Sequence, residues 1–261
     1  MLLENKTAVI YGAAGAVGGA IAHAFARDGA TVYLAGRTRA TLERVATSIG
    51  ASGGKVHVTP VDASEAGAVG EHAERIVQQA GHLDISCNVV GIDDVQGTAL
   101  VSLDPALFMQ PIAEAMRTHL LTTTAAARHM SPRGSGVILT VTAQAGRKPY
   151  PDTGGFGVAC AALEALYRQL AAELGPFGVR AGCLRSAGSP DAAGVDEVFR
   201  QHAANAGISR EAFEARIAER TLLRRLPRLA DVASAATLFA SDRARAMTAA
   251  IFNVTCGELA D

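Results

Sequence analysis

Residues 7–19, Thr7-Ala8-Val9-Ile10-Tyr11-Gly12-Ala13-Ala14-Gly15-Ala16-Val17-Gly18-Gly19, decide the fold. A short β-rich run ends in a glycine-rich turn and opens directly into a helical pattern. Val17, Ile21 and Phe25 stand one turn apart there, and Gly29 is the stop signal. Glycine is needed where the backbone turns sharply and where a phosphate must approach the amides with no Cβ in the way. The helix N-terminus behind it supplies free N–H groups and a partial positive charge. Tight strand-to-helix turns also use glycine for packing alone. Its place after the first strand and before an amphipathic helix favours a dinucleotide site at Gly12, Gly15, Ala16, Val17 and Gly18.

Outward from this loop, short apolar runs alternate with longer helical ones. The strand expectations are Thr7–Tyr11, Thr31–Ala35, Val56–Val61, Asp84–Val90, Gly136–Val141, Val179–Leu184 and Ala250–Val254. Apolar residues on both faces suit parallel strands covered by helices on each side. The helical expectations are Val17–Arg27, Arg39–Ile49, Ala66–Gln79, Phe108–His129, Phe156–Glu173 and Ala230–Ala240. Such alternation implies right-handed βαβ crossovers and a doubly wound α/β fold of Rossmann type, with a parallel seven-stranded sheet in one domain over residues 1–261. The departure is Ser186–Arg228, two polar helical stretches inserted before the last strand, which at the carboxyl edge of such a sheet would form a substrate lid.

The second strand sets the expected cofactor. It ends Leu34-Ala35-Gly36-Arg37-Thr38-Arg39, without the acidic residue that would bond the ribose 2′-hydroxyl of NAD. Arg37, helped by Thr38 and Arg39, offers a guanidinium to a 2′-phosphate instead, so NADP(H) is the expected cofactor.

Composition narrows the classes. Of 261 residues, 49% are hydrophobic and 19% charged, with a formal net charge of -1 and no basic or acidic block, which disfavours nucleic acid or an anionic membrane as partner. Glu4 and Lys6 interrupt any signal-peptide pattern, and no run approaches the ~18 apolar residues of a membrane span. The cysteines Cys87, Cys160, Cys183 and Cys256 are scattered, without CxxC pairs or nearby histidine. They are expected to be reduced core thiols of a cytoplasmic protein, with no metal site.

Further motifs give the chain a resemblance to the short-chain dehydrogenase/reductase family over Lys6 to Gly257. Gly12 and Gly18 match the family's first loop, while Tyr11 and Ala16 replace its threonine and middle glycine. Val61-Asp62, followed by Ala63, resembles the adenine-contacting segment. Asn88-Val89-Val90-Gly91 resembles the N-N-A-G segment of the fourth strand, keeping Asn88 and Gly91. The stretches from Thr221 to Pro227 and Leu238 to Asp242, and Asn253-Val254-Thr255-Cys256-Gly257, resemble the family's ending.

The resemblance also implies an Asn-Ser-Tyr-Lys tetrad, in which tyrosine exchanges a proton with the substrate and lysine tunes it and holds the ribose. The matching positions carry Ala115, Ala143, Phe156 and Cys160. Positioned acid–base catalysis is worth roughly 10²–10⁴ in rate, so the alcohol–ketone mechanism does not carry over. Tyr150 and Asp152, in the loop after the fifth strand, are the candidate replacement catalytic groups. A loop tyrosine packing on the lid is the competing reading for Tyr150. His119 reads as a helix-interface histidine, and Thr142 should face away from Ala143.

Three functions stay open: an NADP(H)-dependent oxidoreductase acting on an activated small molecule (enone, quinone or imine), a non-redox isomerase or lyase, and a catalytically silent NADP(H)-binding regulator. The helices Phe108–His129 and Phe156–Glu173, with Ala161 and Ala162, resemble the family's dimer-forming pair, which implies a homo-oligomer, most simply a homotetramer.

Overall fold

A computed structural model describes residues 1–260. The strands are β1 (Thr7–Tyr11), β2 (Thr31–Gly36), β3 (Lys55–Pro60), β4 (Ile85–Asn88), β5 (Gly136–Ala143), β6 (Val179–Ser186) and β7 (Ala250–Val254). They form one parallel seven-stranded sheet in the order β3-β2-β1-β4-β5-β6-β7. The helices are α1 (Ala16–Arg27), α2 (Arg39–Ala51), α3 (Ala66–Ala80), α4 (Pro105–Met130), α5 (Phe156–Leu174), α6 (Ala193–Asn205), α7 (Arg210–Ala218) and α8 (Leu229–Ala240).

Each face of the sheet has its own core, as a two-sided parallel sheet requires. Ile21 and Phe25 of α1, Leu42 of α2 and Phe239 of α8 are buried on one face. Val69 and Ile76 of α3, Ala125 of α4 and Tyr167 of α5 are buried on the other. The strand order reverses between β1 and β4. Tyr11 pairs with both Ala35 and Asn88, so β2, β1 and β4 end level, and ligands in such sheets bind beyond that edge.

The differences from the expected boundaries have local causes. Helix α4 starts at Pro105, ahead of the expected Phe108, because Asp104 caps it by accepting the Ala106 N–H at 2.7 Å, with proline in the first turn. Strand β4 is shorter than expected. Asp84 stands just before it, its backbone still bonding Thr7 and Val137, while its side chain accepts the Thr7 N–H at 2.8 Å and pairs with Arg133 at 3.1 Å. Strands β5 and β6 run further, to Ala143 and Ser186, through the polar residues Thr142 and Arg185. Both are buried there because each finds a partner in Glu164.

Candidate active site

A cleft of about 1090 Å³ lies across the carboxyl edge of the sheet. One half is built from backbone. Gly12 has φ +80, and a Cβ there would stand 2.4 Å from the Val89 carbonyl oxygen; one at Gly18 would stand 2.3 Å from the Gly12 oxygen. Only glycine lets the loop lie this close to β4 and to its own helix. Helix α1 begins behind Gly15 with no side-chain cap and no acidic residue in its first turn. Its first N–H groups have no intrahelical acceptor and face the cleft with the positive end of the helix dipole. A dinucleotide's diphosphate fits this cradle.

Gly12, Gly15, Ala16, Val17, Gly18, Arg37, Thr38, Asp62, Ala63, Val90 and Gly91 all line the cleft. Asp62 accepts from the Ser64 hydroxyl at 2.7 Å and the Ser64 N–H at 2.9 Å. These bonds, with the nearby Arg37 and Arg117 charges, hold its carboxyl below the usual range despite opposing burial. Asn88 lies behind the wall. It donates to Thr122 at 2.9 Å and accepts the Val90 N–H at 3.0 Å, fixing the turn that carries Val90 and Gly91.

Of the four residues at the positions that the family resemblance matches to the tetrad, Ala143, Phe156 and Cys160 share the wall, while Ala115 packs behind it against Ala159 and Leu163. Burial pushes the Cys160 thiol up to about 12, so it stays protonated. His119 is buried with Nδ1 3.1 Å from the Tyr167 hydroxyl, and burial pulls it down to about 3, so it stays neutral. Thr142 donates to Glu164 Oε1 at 3.2 Å, and Glu164 forms a buried ion pair with Arg185.

The two candidate replacement groups are placed differently. Tyr150 lines the cleft, but its hydroxyl donates to Glu258 Oε1 at 2.7 Å, an oxygen that also accepts from Lys148 at 2.9 Å. Burial and Glu258 raise its pKa, with Arg220 opposing. Asp152 is not on the wall; its backbone is left-handed at φ 58, and its carbonyl accepts the Gly97 N–H at 2.7 Å.

The structure adds residues that the sequence reading missed. Asp94 lines the cleft, and its charge acts on Cys160. Burial raises its pKa, Asp93 adds to this, and a hydrogen bond from Gln96 opposes it. Gln96 Nε2 donates to Asp94 Oδ2, and Gln96 Oε1 lies 3.1 Å from His202 Nε2 on α6. The acidic pair Asp93-Asp94, set just beyond Gly91, was the available signal. Helices α6 and α7, in the segment expected to be a lid, wall the other half. Phe199 of α6 and Phe213 of α7 meet edge to face at 5.5 Å, and both line the cleft with Arg216, Ile217 and Arg220. Among the described residues there is no His/Cys/Asp/Glu group suited to a metal ion, and no helix is long and apolar enough to cross a membrane.

Comparison with known proteins agrees with this geometry. Residues 12–258 match a family model described as enoyl-(acyl carrier protein) reductase. An oxidoreductase of Methylorubrum extorquens is 30% identical, over 98% of this chain and 98% of its own. A Mycobacterium tuberculosis oxidoreductase is 31% identical, over 98% of this chain and 92% of its own. Among solved structures, sorbitol-6-phosphate 2-dehydrogenase from Erwinia amylovora superposes with a TM-score of 0.91 at 21% identity, over 97% of this chain and 100% of its own. That last likeness speaks to the fold alone.

Proposed function

The chain belongs to the short-chain dehydrogenase/reductase family, and from that premise we propose that it is an NADP(H)-dependent oxidoreductase acting on an activated small molecule such as an enone, a quinone or an imine. The observation that carries this reading is one continuous cleft running from the backbone cradle at Gly12–Gly18 to the lid, with Ala143, Phe156 and Cys160 between them. A bound nicotinamide cofactor supplies hydride chemistry, and the chain's part is to bind, orient and exclude water. Arg37 supports the choice of NADP(H), since it stands on the wall beside Thr38 and Asp62, where a ribose 2′-phosphate would lie.

Loss of the tetrad restricts the substrate to one that needs little acid assistance. Two wall groups are proposed to supply what remains. Asp94 is a carboxyl whose raised pKa favours the proton-carrying form of an acid. Tyr150 is a hydroxyl that would have to leave Glu258 to serve. Asp152 enters this reading only through its backbone, holding the loop that carries Tyr150.

The test is NADPH and NADH oxidation followed at 340 nm across enones, quinones, imines and simple ketones. Turnover of an activated class and not of simple ketones is expected. Binding of NADPH with no turnover of any class would favour the silent regulator. Conversion of a substrate with the cofactor unconsumed would favour the isomerase or lyase.

A further inference from the structure

Four residues of the lid face the cleft from one side of α7 and the turn after it: Phe213, Arg216, Ile217 and Arg220. Their spacing is that of a single helical face, the stripe that normally carries only apolar side chains against a core. The Arg220 N–H bonds back to Ile217 O at 3.0 Å, which keeps the turn continuous with the helix. Half of this inward stripe is cationic.

The other arginines nearby are engaged within the chain. Arg200 pairs with Asp196 and Glu197, Arg210 with Asp196 and Glu214, and Arg225 with Asp231. Arg224 donates to the Glu219 carbonyl oxygen. Arg216 and Arg220 pair with no carboxylate among the described residues. Arg220 is close enough to Tyr150 for its charge to act on that phenol. The Glu258 carboxylate behind Tyr150 is already met by Lys148 at 2.9 Å. Of the acidic residues lining the cleft, Asp94 is held by Gln96 and Asp62 by Ser64, and Glu114 forms no ion pair with either arginine.

We propose that Arg216 and Arg220 form an anion subsite in the lid, so that the substrate has an apolar body and a carboxylate or phosphate group remote from its reacting end. This rests on the reading of the cleft as the substrate site and adds the substrate's charge class to it. The apolar body lies against Phe199, Phe213 and Ile217, and the anion takes charge-assisted hydrogen bonds from the two guanidinium groups. The pair also draws anions toward the cleft mouth, an attraction that salt weakens.

The experiment uses the intact protein saturated with NADP⁺, so that Arg37 and the cradle are filled, and titrates it by calorimetry with octanoate, its neutral analogue octanamide, and octyl phosphate. We expect both anions to bind about tenfold more tightly than octanamide, a difference of about 1.4 kcal/mol, and the preference to shrink at high salt. It should vanish in Arg216→Gln/Arg220→Gln and persist in Arg216→Lys/Arg220→Lys, which a packing role for these exposed side chains would not produce. Octanoate alone preferred identifies a carboxylate site, and octyl phosphate alone a phosphate site. Equal binding of the three probes, no binding of any, or a preference that survives in the glutamine variant overturns the proposal. NADP⁺ affinity, measured first in the same cell, reports separately on the dinucleotide reading.

Discussion

The Glu164 carboxylate and the Arg185 guanidinium clasp each other through two hydrogen bonds, Nε to Oε1 at 2.8 Å and Nη2 to Oε2 at 2.6 Å, with both side chains 4% exposed. Thr142 adds a third bond to Oε1 at 3.2 Å, so β5, β6 and α5 meet on one carboxylate. A buried pair often contributes little net stability, yet removing one partner strands the other's charge. Arg185→Met, which leaves the buried Glu164 carboxylate without this cation, should therefore cost about 3–5 kcal/mol in urea unfolding, and Glu164→Gln should also destabilise. The double variant Glu164→Leu/Arg185→Met should cost clearly less than the sum. Additive losses would mean that the two residues do not act as a pair.

The same pair bears on any attempt to rebuild a ketoreductase. Phe156→Tyr with Cys160→Lys returns a proton donor and a cation, but the new lysine would sit one helical turn before a glutamate already committed to Arg185. Ala143 and Ala115 still leave the carbonyl and the water relay unsupported. Groups that act as a unit are strongly non-additive, so this variant should show no more than background ketone reduction while keeping NADPH affinity. Ketone turnover at rates typical of enzymes would contradict this view of the site.

Asp94 and Tyr150 differ in how activity should depend on pH. The folded-state pKa of Asp94 is raised above 3.8, so its proton-carrying form, which donates, is lost as pH rises through the raised value. Reduction should fall along that limb in the wild type, and Asp94→Asn should remove the limb. The linkage has the same sign: the protonated carboxyl favours folding at low pH, and that contribution disappears as pH rises through the folded-state pKa. Asp94→Asn should then be no less stable than wild type at neutral pH. If Tyr150 is the donor instead, the wild type shows no such limb, and Tyr150→Phe lowers kcat while leaving NADPH affinity unchanged.

Arg37→Ala should weaken NADPH binding by at least about tenfold, the loss of one charge-assisted contact of roughly 1.5–3 kcal/mol, and leave NADH binding nearly unchanged. Calorimetry with both nucleotides decides it. Equal affinities in the wild type, or a preference that Arg37→Ala does not alter, would remove the case for NADP(H).

A homotetramer is expected in solution. Leu107, Met109 and Leu120 of α4 and Val158 of α5 are 42%, 51%, 49% and 47% exposed on the helices expected to pair. Light scattering at micromolar concentration should report four protomers, and Leu120→Glu should reduce that number. A monomer would refute the assignment.

Backbone and apolar periodicity made the fold legible. Every strand and helix core stood where the sequence alternation put it, because parallel strands buried on both faces leave a continuous apolar signature. The ends of β5 and β6 were not legible, since Thr142 and Arg185 are polar residues made strand-compatible by Glu164, which lies far from them along the chain. The cleft-lining glycines were readable from their turn, whereas Asn88 reads as a ligand contact and lies behind the wall. Asp94 and the Gln96–His202 contact escaped the sequence because they depend on where an insertion folds back over the sheet. The inward direction of Arg216, on α7, and of Arg220, on the turn after it, was not legible in the sequence and follows from where these residues fold over the cleft.

The closeness of Gly12 to Val89 has a consequence for how this chain can change over time. The cradle proposed for the nucleotide is made of main chain wedged against main chain, with no space for even one methyl group at Gly12 or Gly18. The surfaces facing the reacting atoms are side chains, such as Ala143, Phe156 and Cys160. Single substitutions can therefore rewrite the chemistry step by step while nucleotide capture persists, and a drifting lineage on this scaffold would lose its old reaction long before it lost its coenzyme.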